Sequence, residues 1–107
     1  MAFNIKQNNT SPSLQAILKD GSGTVINLTG ASVRINMKAV GGTGLKVNSA
    51  MTIVNATGGI IQYDWQSGDT DTVGSYALEF EVTYADGSLE TFPNSKNLSV
   101  TVVKELS

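Results

Sequence analysis

Gly74-Ser75-Tyr76-Ala77-Leu78-Glu79-Phe80-Glu81-Val82-Thr83-Tyr84-Ala85-Asp86-Gly87-Ser88-Leu89-Glu90-Thr91-Phe92-Pro93 alternates with a period of two. Tyr76, Leu78, Phe80, Val82 and Tyr84 fall on one side; Ala77, Glu79, Glu81 and Thr83 fall on the other. Successive side chains of a strand point to opposite faces, so this predicts a strand half-buried in an antiparallel sheet. Asp86-Gly87 predicts a two-residue hairpin turn with positive φ angles. Ser88 to Phe92 then returns as the second strand, and Pro93-Asn94-Ser95 ends it, because proline cannot donate to a ladder.

Working outward, the chain reads as short strands with turn residues every eight to twelve positions, the spacing of a sandwich or barrel. Phe3–Lys6, Leu14–Lys19, Val25–Leu28, Ser32–Lys38, Leu45–Asn48, Met51–Val54, Ile60–Trp65 and Leu98–Val103 are the other expected strands. In Leu14–Lys19, Ile17 shares the polar face with Gln15 and Lys19, so that face is not expected to be fully wet. Asn8–Pro12, Asp20–Gly23, Thr29–Ala31, Gly41–Gly44 and Asn55–Gly59 are turns or loops. A corner at Ser49-Ala50 separates two of the strands. No glycine-free window of helical period exceeds about ten residues, so no helix is expected. The prediction is a single all-β domain over residues 1–107, an immunoglobulin-like antiparallel sandwich of about seven to nine strands.

Composition narrows the chemistry. The 107 residues contain no cysteine and no histidine. Disulfides, thiolate metal sites and serine–histidine or cysteine–histidine catalysis are therefore out of reach. The net charge of −2 is scattered, without the clustered Lys and Arg that nucleic acid or anionic lipid would need. Only 15% of residues are charged. That fits a surface partly covered by neighbours, and equally an ordinary neutral β domain. The start at Met1-Ala2-Phe3-Asn4-Ile5 has no apolar run of the signal-peptide kind. No segment approaches the about 20 apolar residues of a membrane span.

Candidate sites are few. Asp64, Asp69 and Asp71 are the densest carboxylates, but no bidentate Glu follows at the spacing of a calcium loop. Glu79 and Glu81 share a strand face, and a solvated sheet surface explains them better than a catalytic pair. Lys19, Lys38 or Lys46 are their expected cross-strand partners. Asp20-Gly21-Ser22-Gly23 and Gly41-Gly42-Thr43-Gly44 lack the strand–helix setting of a phosphate loop. Tyr76, two residues after Gly74, looks like a tyrosine corner or else a plain core tyrosine, a structural role in both readings, and Trp65 is expected in the core. Phe3 and Ile5 alternate with Asn4 and Lys6 in an N-terminal arm, residues 1–9. The arm can complete its own sheet or add to a neighbour's edge, which makes Phe3 and Ile5 the candidate partner-binding residues. No catalytic, cofactor or metal residue is assigned.

Three stretches taken together carry a resemblance. They are Asn8–Leu14, Leu18-Lys19-Asp20-Gly21-Ser22-Gly23-Thr24-Val25-Ile26-Asn27-Leu28-Thr29-Gly30-Ala31, and Gly59-Ile60-Ile61-Gln62-Tyr63-Asp64-Trp65. With Gly74-Ser75-Tyr76 through Asp86-Gly87 to Pro93-Asn94, they resemble the N-terminal domain of phage baseplate upper proteins and small immunoglobulin-like proteins of tailed-phage virions. The resemblance implies a non-enzymatic virion component, made in the bacterial host cytoplasm, that binds other virion proteins. The expected roles are baseplate, tail or neck adaptor, or capsid-associated protein. Expected partners are other virion proteins, in a homo-oligomer or symmetric array. Nucleic acid, membrane, small-molecule substrate and cofactor are not expected. The alternative is a carbohydrate-binding or adhesin-type sandwich, which would need exposed aromatics.

Overall fold

The computed structural model describes residues 2–42, 44–92 and 98–104. They form nine strands: β1 (Ala2–Lys6), β2 (Leu14–Ile17), β3 (Ser32–Ala39), β4 (Leu45–Ala50), β5 (Thr52–Asn55), β6 (Ile60–Tyr63), β7 (Gly74–Thr83), β8 (Leu89–Phe92) and β9 (Leu98–Val103). The larger sheet has the order β1-β9-β7-β3-β4, with β8 also on β7; the smaller has the order β2-β6-β5. All pairings are antiparallel except β1 on β9. The two sheets enclose one core, giving the expected immunoglobulin-like sandwich.

β7 organises the larger sheet. Its alternation puts Tyr76, Leu78, Phe80 and Val82 inward, each under 4% exposed. One edge of β7 pairs with β3 along eight register pairs, Ser32↔Thr83 to Ala39↔Tyr76. The other edge is shared: β9 takes Gly74–Leu78 and β8 takes Phe80–Thr83. Across from Val33, Ile35, Met37, Val100 and Val102 stand Leu14, Ala16, Ile61 and Tyr63 of the smaller sheet, with Trp65 two residues past β6. Each large apolar side chain buried in this way contributes about 1.5–3 kcal/mol relative to exposure.

The chain changes sheets four times, and the crossings from β1 to β2 and from β4 to β5 lie at two sides of the sandwich. Residues 7–13 carry it from β1 to β2, pinned by buried Thr70, whose hydroxyl donates to the Asn9 carbonyl at 2.8 Å. The Asn8 amide in turn donates to the Thr70 carbonyl at 2.9 Å. At the other side Met51 separates β4 from β5, its amide on the Val33 carbonyl at 2.8 Å. The corner therefore lies one residue beyond the expected Ser49-Ala50.

Two local expectations are corrected. The hairpin after β7 has a three-residue loop, Ala85-Asp86-Gly87, closed by Tyr84 N–H to Ser88 O at 2.8 Å and Gly87 N–H to Tyr84 O at 2.9 Å. Only Gly87 has positive φ, at 89°. An L-residue resists that region and glycine does not. Asp86 instead accepts from the Ser88 amide at 2.9 Å and the Ser88 hydroxyl at 2.6 Å. The expected strand at Val25–Leu28 shrinks to one bridge, Lys19↔Val25. The Ile26 amide donates to the Leu18 carbonyl at 2.9 Å and the Leu28 amide to the Ala56 carbonyl at 2.8 Å, so the segment divides its donors between two stretches and no continuous ladder forms. The proposed stop at Pro93-Asn94-Ser95 lies outside the described residues.

Candidate functional site

Among the described residues the candidate contact surfaces are the sheet faces and strand edges. The outer face of the larger sheet carries Arg34, Asn36 and Lys38 from β3 and Ala77, Glu79 and Glu81 from β7. Glu79 lies opposite Asn36, and Glu81 opposite Arg34. Arg34 turns to β4 instead, donating to the Asn48 side-chain oxygen at 2.5 Å and to its carbonyl at 3.2 Å. A shallow dip over Ala77 is lined by Asn36, Lys38 and Glu79. The two glutamates thus sit on an open sheet surface.

None of the expected lysines pairs with them. Lys38 faces Ala77, and Lys19 belongs to the smaller sheet's side. Lys46 sits in a bulge, where Met37↔Val47 is followed by Lys38↔Leu45. A bulge re-aims its extra residue. Lys46 accordingly reaches Asp71, with 2.5 Å between Nζ and Oδ1. That hydrogen bond raises the Lys46 ammonium and lowers the Asp71 carboxyl from their ordinary values.

The other aspartates are also occupied. Asp69 accepts from the Tyr63 hydroxyl at 2.5 Å and the Gln66 amide at 2.8 Å. Burial first, and this carboxylate second, push the Tyr63 phenol up to about 12. Asp64 accepts from Ser13 at 2.6 Å and Gln62 at 2.8 Å, which hold its carboxyl low. Among the described residues no group of three acidic side chains could hold a metal ion.

The arm folds back as β1. It runs parallel to β9, from Ala2↔Ser99 to Lys6↔Val103. Ile5 is buried in the core. Phe3 is half-buried, its ring 5.9 Å from that of Trp65 at 31°. Trp65 also meets Tyr63 edge-on at 5.4 Å. The structure therefore brings Phe3 to the sandwich rim and seats Ile5 beneath it. At the far end of β7, β8 turns Leu89 outward, 67% exposed, and Glu90 to the inner side opposite Val82. Glu90 accepts from the Tyr84 hydroxyl at 2.7 Å. Burial and this carboxylate together push the Tyr84 phenol up to about 12.

The smaller sheet supplies a surface that pattern reading only hinted at. Its outer face carries Gln15 and Ile17 from β2 opposite Gln62 and Ile60 from β6. Ile17 is 53% exposed, and Val54 on the neighbouring β5 is 50% exposed. The exposed Ile17 was visible in the sequence; that β2 lies at a sheet edge depends on strand order, which a single sequence does not display.

These features define a class, an immunoglobulin-like β-sandwich with open sheet faces and strand edges. The model of the BppU (baseplate upper protein) N-terminal domain family matches residues 2–107, and the chain belongs to that family. It is a phage baseplate structural domain, a class that is not normally enzymatic and whose place is the virion. No curated protein matches. Among solved structures the chain is similar to CopC from Methylosinus trichosporium OB3b, with a TM-score of 0.56 and 16% identity over 98% of this chain and 86% of that one. At that identity the likeness concerns the fold alone.

Proposed function

We propose that this domain is a docking module of the phage particle, holding other virion proteins through exposed sheet faces and strand edges. The observation that carries the reading is the whole-length family match on a sandwich whose polar groups lie on open faces. Contact through the β1 edge would use Phe3 at the rim, with Ile5 anchoring the strand to its own core. Repetition on a symmetric particle would let weak single contacts hold by avidity.

The aromatic side chains support docking over glycan capture. Tyr63, Trp65, Tyr76, Phe80 and Phe92 are buried, and Phe3 and Tyr84 are half-buried. A sugar platform would need such rings flat on the surface. The test is biolayer interferometry of the immobilised domain against purified tail, baseplate and capsid proteins of its phage, with host polysaccharide in parallel. Saturable binding to a virion protein is expected. Binding to polysaccharide alone would overturn the reading in favour of an adhesin.

A further inference from the structure

Among the described strands β2 has a neighbour on one side only, β6. The hydrogen-bond phase of that pair shows which backbone groups are left over. The Leu18 amide donates to the Gly59 carbonyl at 2.9 Å, in line with the register Ile17↔Ile60 to Leu14↔Tyr63. Backbone groups alternate in direction along an antiparallel strand, so Leu14, Ala16 and Leu18 point toward β6. Ser13, Gln15, Ile17 and Lys19 then point away, toward the open edge. The bridge to Val25 lies on the β6 side too, since Ile26 N–H meets Leu18 O at 2.9 Å. A groove lined by Gln15, Ala16, Ile17 and Lys19 runs along this edge, and no strand among the described residues fills it.

In a constant-type immunoglobulin sandwich a first strand covers this position. Here β1 pairs with β9 in the opposite sheet, and no described strand takes that place. Several other edges carry the devices that discourage pairing. β4 and β5 contain bulges, β1 carries Lys6, and β8 carries Glu90. Gln15, Ala16 and Ile17 offer neither charge nor bulge.

We propose that this edge is a self-association site: two copies pair β2 against β2, antiparallel, about a two-fold axis through Ala16. The axis sets Gln15 opposite Ile17 of the second copy and Ser13 opposite Lys19. The outward backbone groups of all four residues have no partner among the described residues, so in this register each donor meets an acceptor. The charges agree with this register. Asp64 sits directly across from Ser13 within each copy, hydrogen-bonded to it at 2.6 Å. Lys19 of one copy therefore arrives beside Ser13 and Asp64 of the other, twice per dimer. Both side chains are exposed and lie on the same outer face. Pairing would merge two three-stranded sheets into one continuous sheet and extend the Ile17–Ile60 surface across the axis. Self-pairing adds to the docking reading and does not depend on it, because the interferometry above scores virion-protein binding separately.

Sedimentation velocity over a concentration series tests the proposal. The expected result is a monomer–dimer equilibrium. Ile17→Pro removes an edge amide without touching β6 and should abolish the dimer while circular dichroism stays unchanged. Lys19→Glu should weaken it about tenfold by setting like charges together twice. Lys19→Glu with Asp64→Lys should restore it. Should Ile17→Pro fail to fold, the charge swap decides alone. A strict monomer, a trimer or ring, a dimer indifferent to Ile17→Pro, or no rescue by the double swap would overturn the proposal.

Discussion

Tyr76 shows how one side chain ties a loop to a sheet. Its ring is buried at the start of β7, and its hydroxyl donates to the Thr72 carbonyl at 2.6 Å. This is a tyrosine corner, with the hydroxyl returning to backbone four residues upstream. Tyr76→Phe keeps the ring and orphans the carbonyl. We expect a loss of about 1–2 kcal/mol, read as a lower urea midpoint with an unchanged m value. The residue was recognisable in sequence because its cues are local: a glycine two places before it, then an alternating strand. Lys46 was not, because its partner depends on a bulge between β3 and β4. Trp65 combines both cases. Its burial follows from alternation with Ile61 and Tyr63, yet its indole N–H has no acceptor among the described residues. Nothing in the sequence forecasts that.

Elements were legible where alternation was long. β3 and β7 follow their expected spans to within one residue, because one buried face fixes every second side chain. Short segments whose backbone partners lie on two different stretches were not legible, as the lost strand at Val25–Leu28 shows. The 18–26 loop is instead held against the entry to β6 by Gly59. Gly59 has φ of 66°, and a Cβ there would lie 2.8 Å from the Ile26 carbonyl oxygen and 2.9 Å from that of Leu18. Both obstacles are backbone and cannot swing away. Gly59→Ala should cost about 1–3 kcal/mol from the strained φ alone, with the contacts adding to it. Thermal melting by circular dichroism checks this. The open edge of β2, the main candidate surface, escaped the sequence for a different reason. Its strand pattern is plain, but that no described strand covers it follows from where β1 docks.

At the scale of the molecule, charge sets the pH response. Asp20, Asp64, Asp71 and Asp86 all have carboxyls held below their ordinary 3.8 by hydroxyl, amide or ammonium donors. The unfolded chain therefore takes up protons first as pH falls, so these groups contribute stability above about pH 4 that is lost below it. At the alkaline end Tyr63 and Tyr84 ionise at about 12 in the fold, against 10.0 ordinarily. Their neutral forms favour the folded state up to about pH 10, and that preference disappears between pH 10 and 12. The raised Lys46 ammonium adds to the same alkaline loss. With no histidine to titrate between, melting temperature should form a plateau from about pH 5 to 9. A slope centred near pH 6.5 would contradict this. The sandwich itself was legible from strand count and spacing, since few other arrangements bury so many short half-apolar strands.

The parallel seam between β1 and β9 has a mechanical consequence. Ala2 lies beside Ser99 and Lys6 beside Val103, so both strands run the same way and Ala2 and Val103 lie at opposite ends of the seam. Tension applied at Ala2 and Val103 would slide one strand along the other. Parallel hydrogen bonds are evenly spaced, so such a load falls on the whole seam at once rather than opening it pair by pair. A domain strung between two larger bodies in this way resists stretching through its first and last strands, while its remaining strands stay out of the line of force.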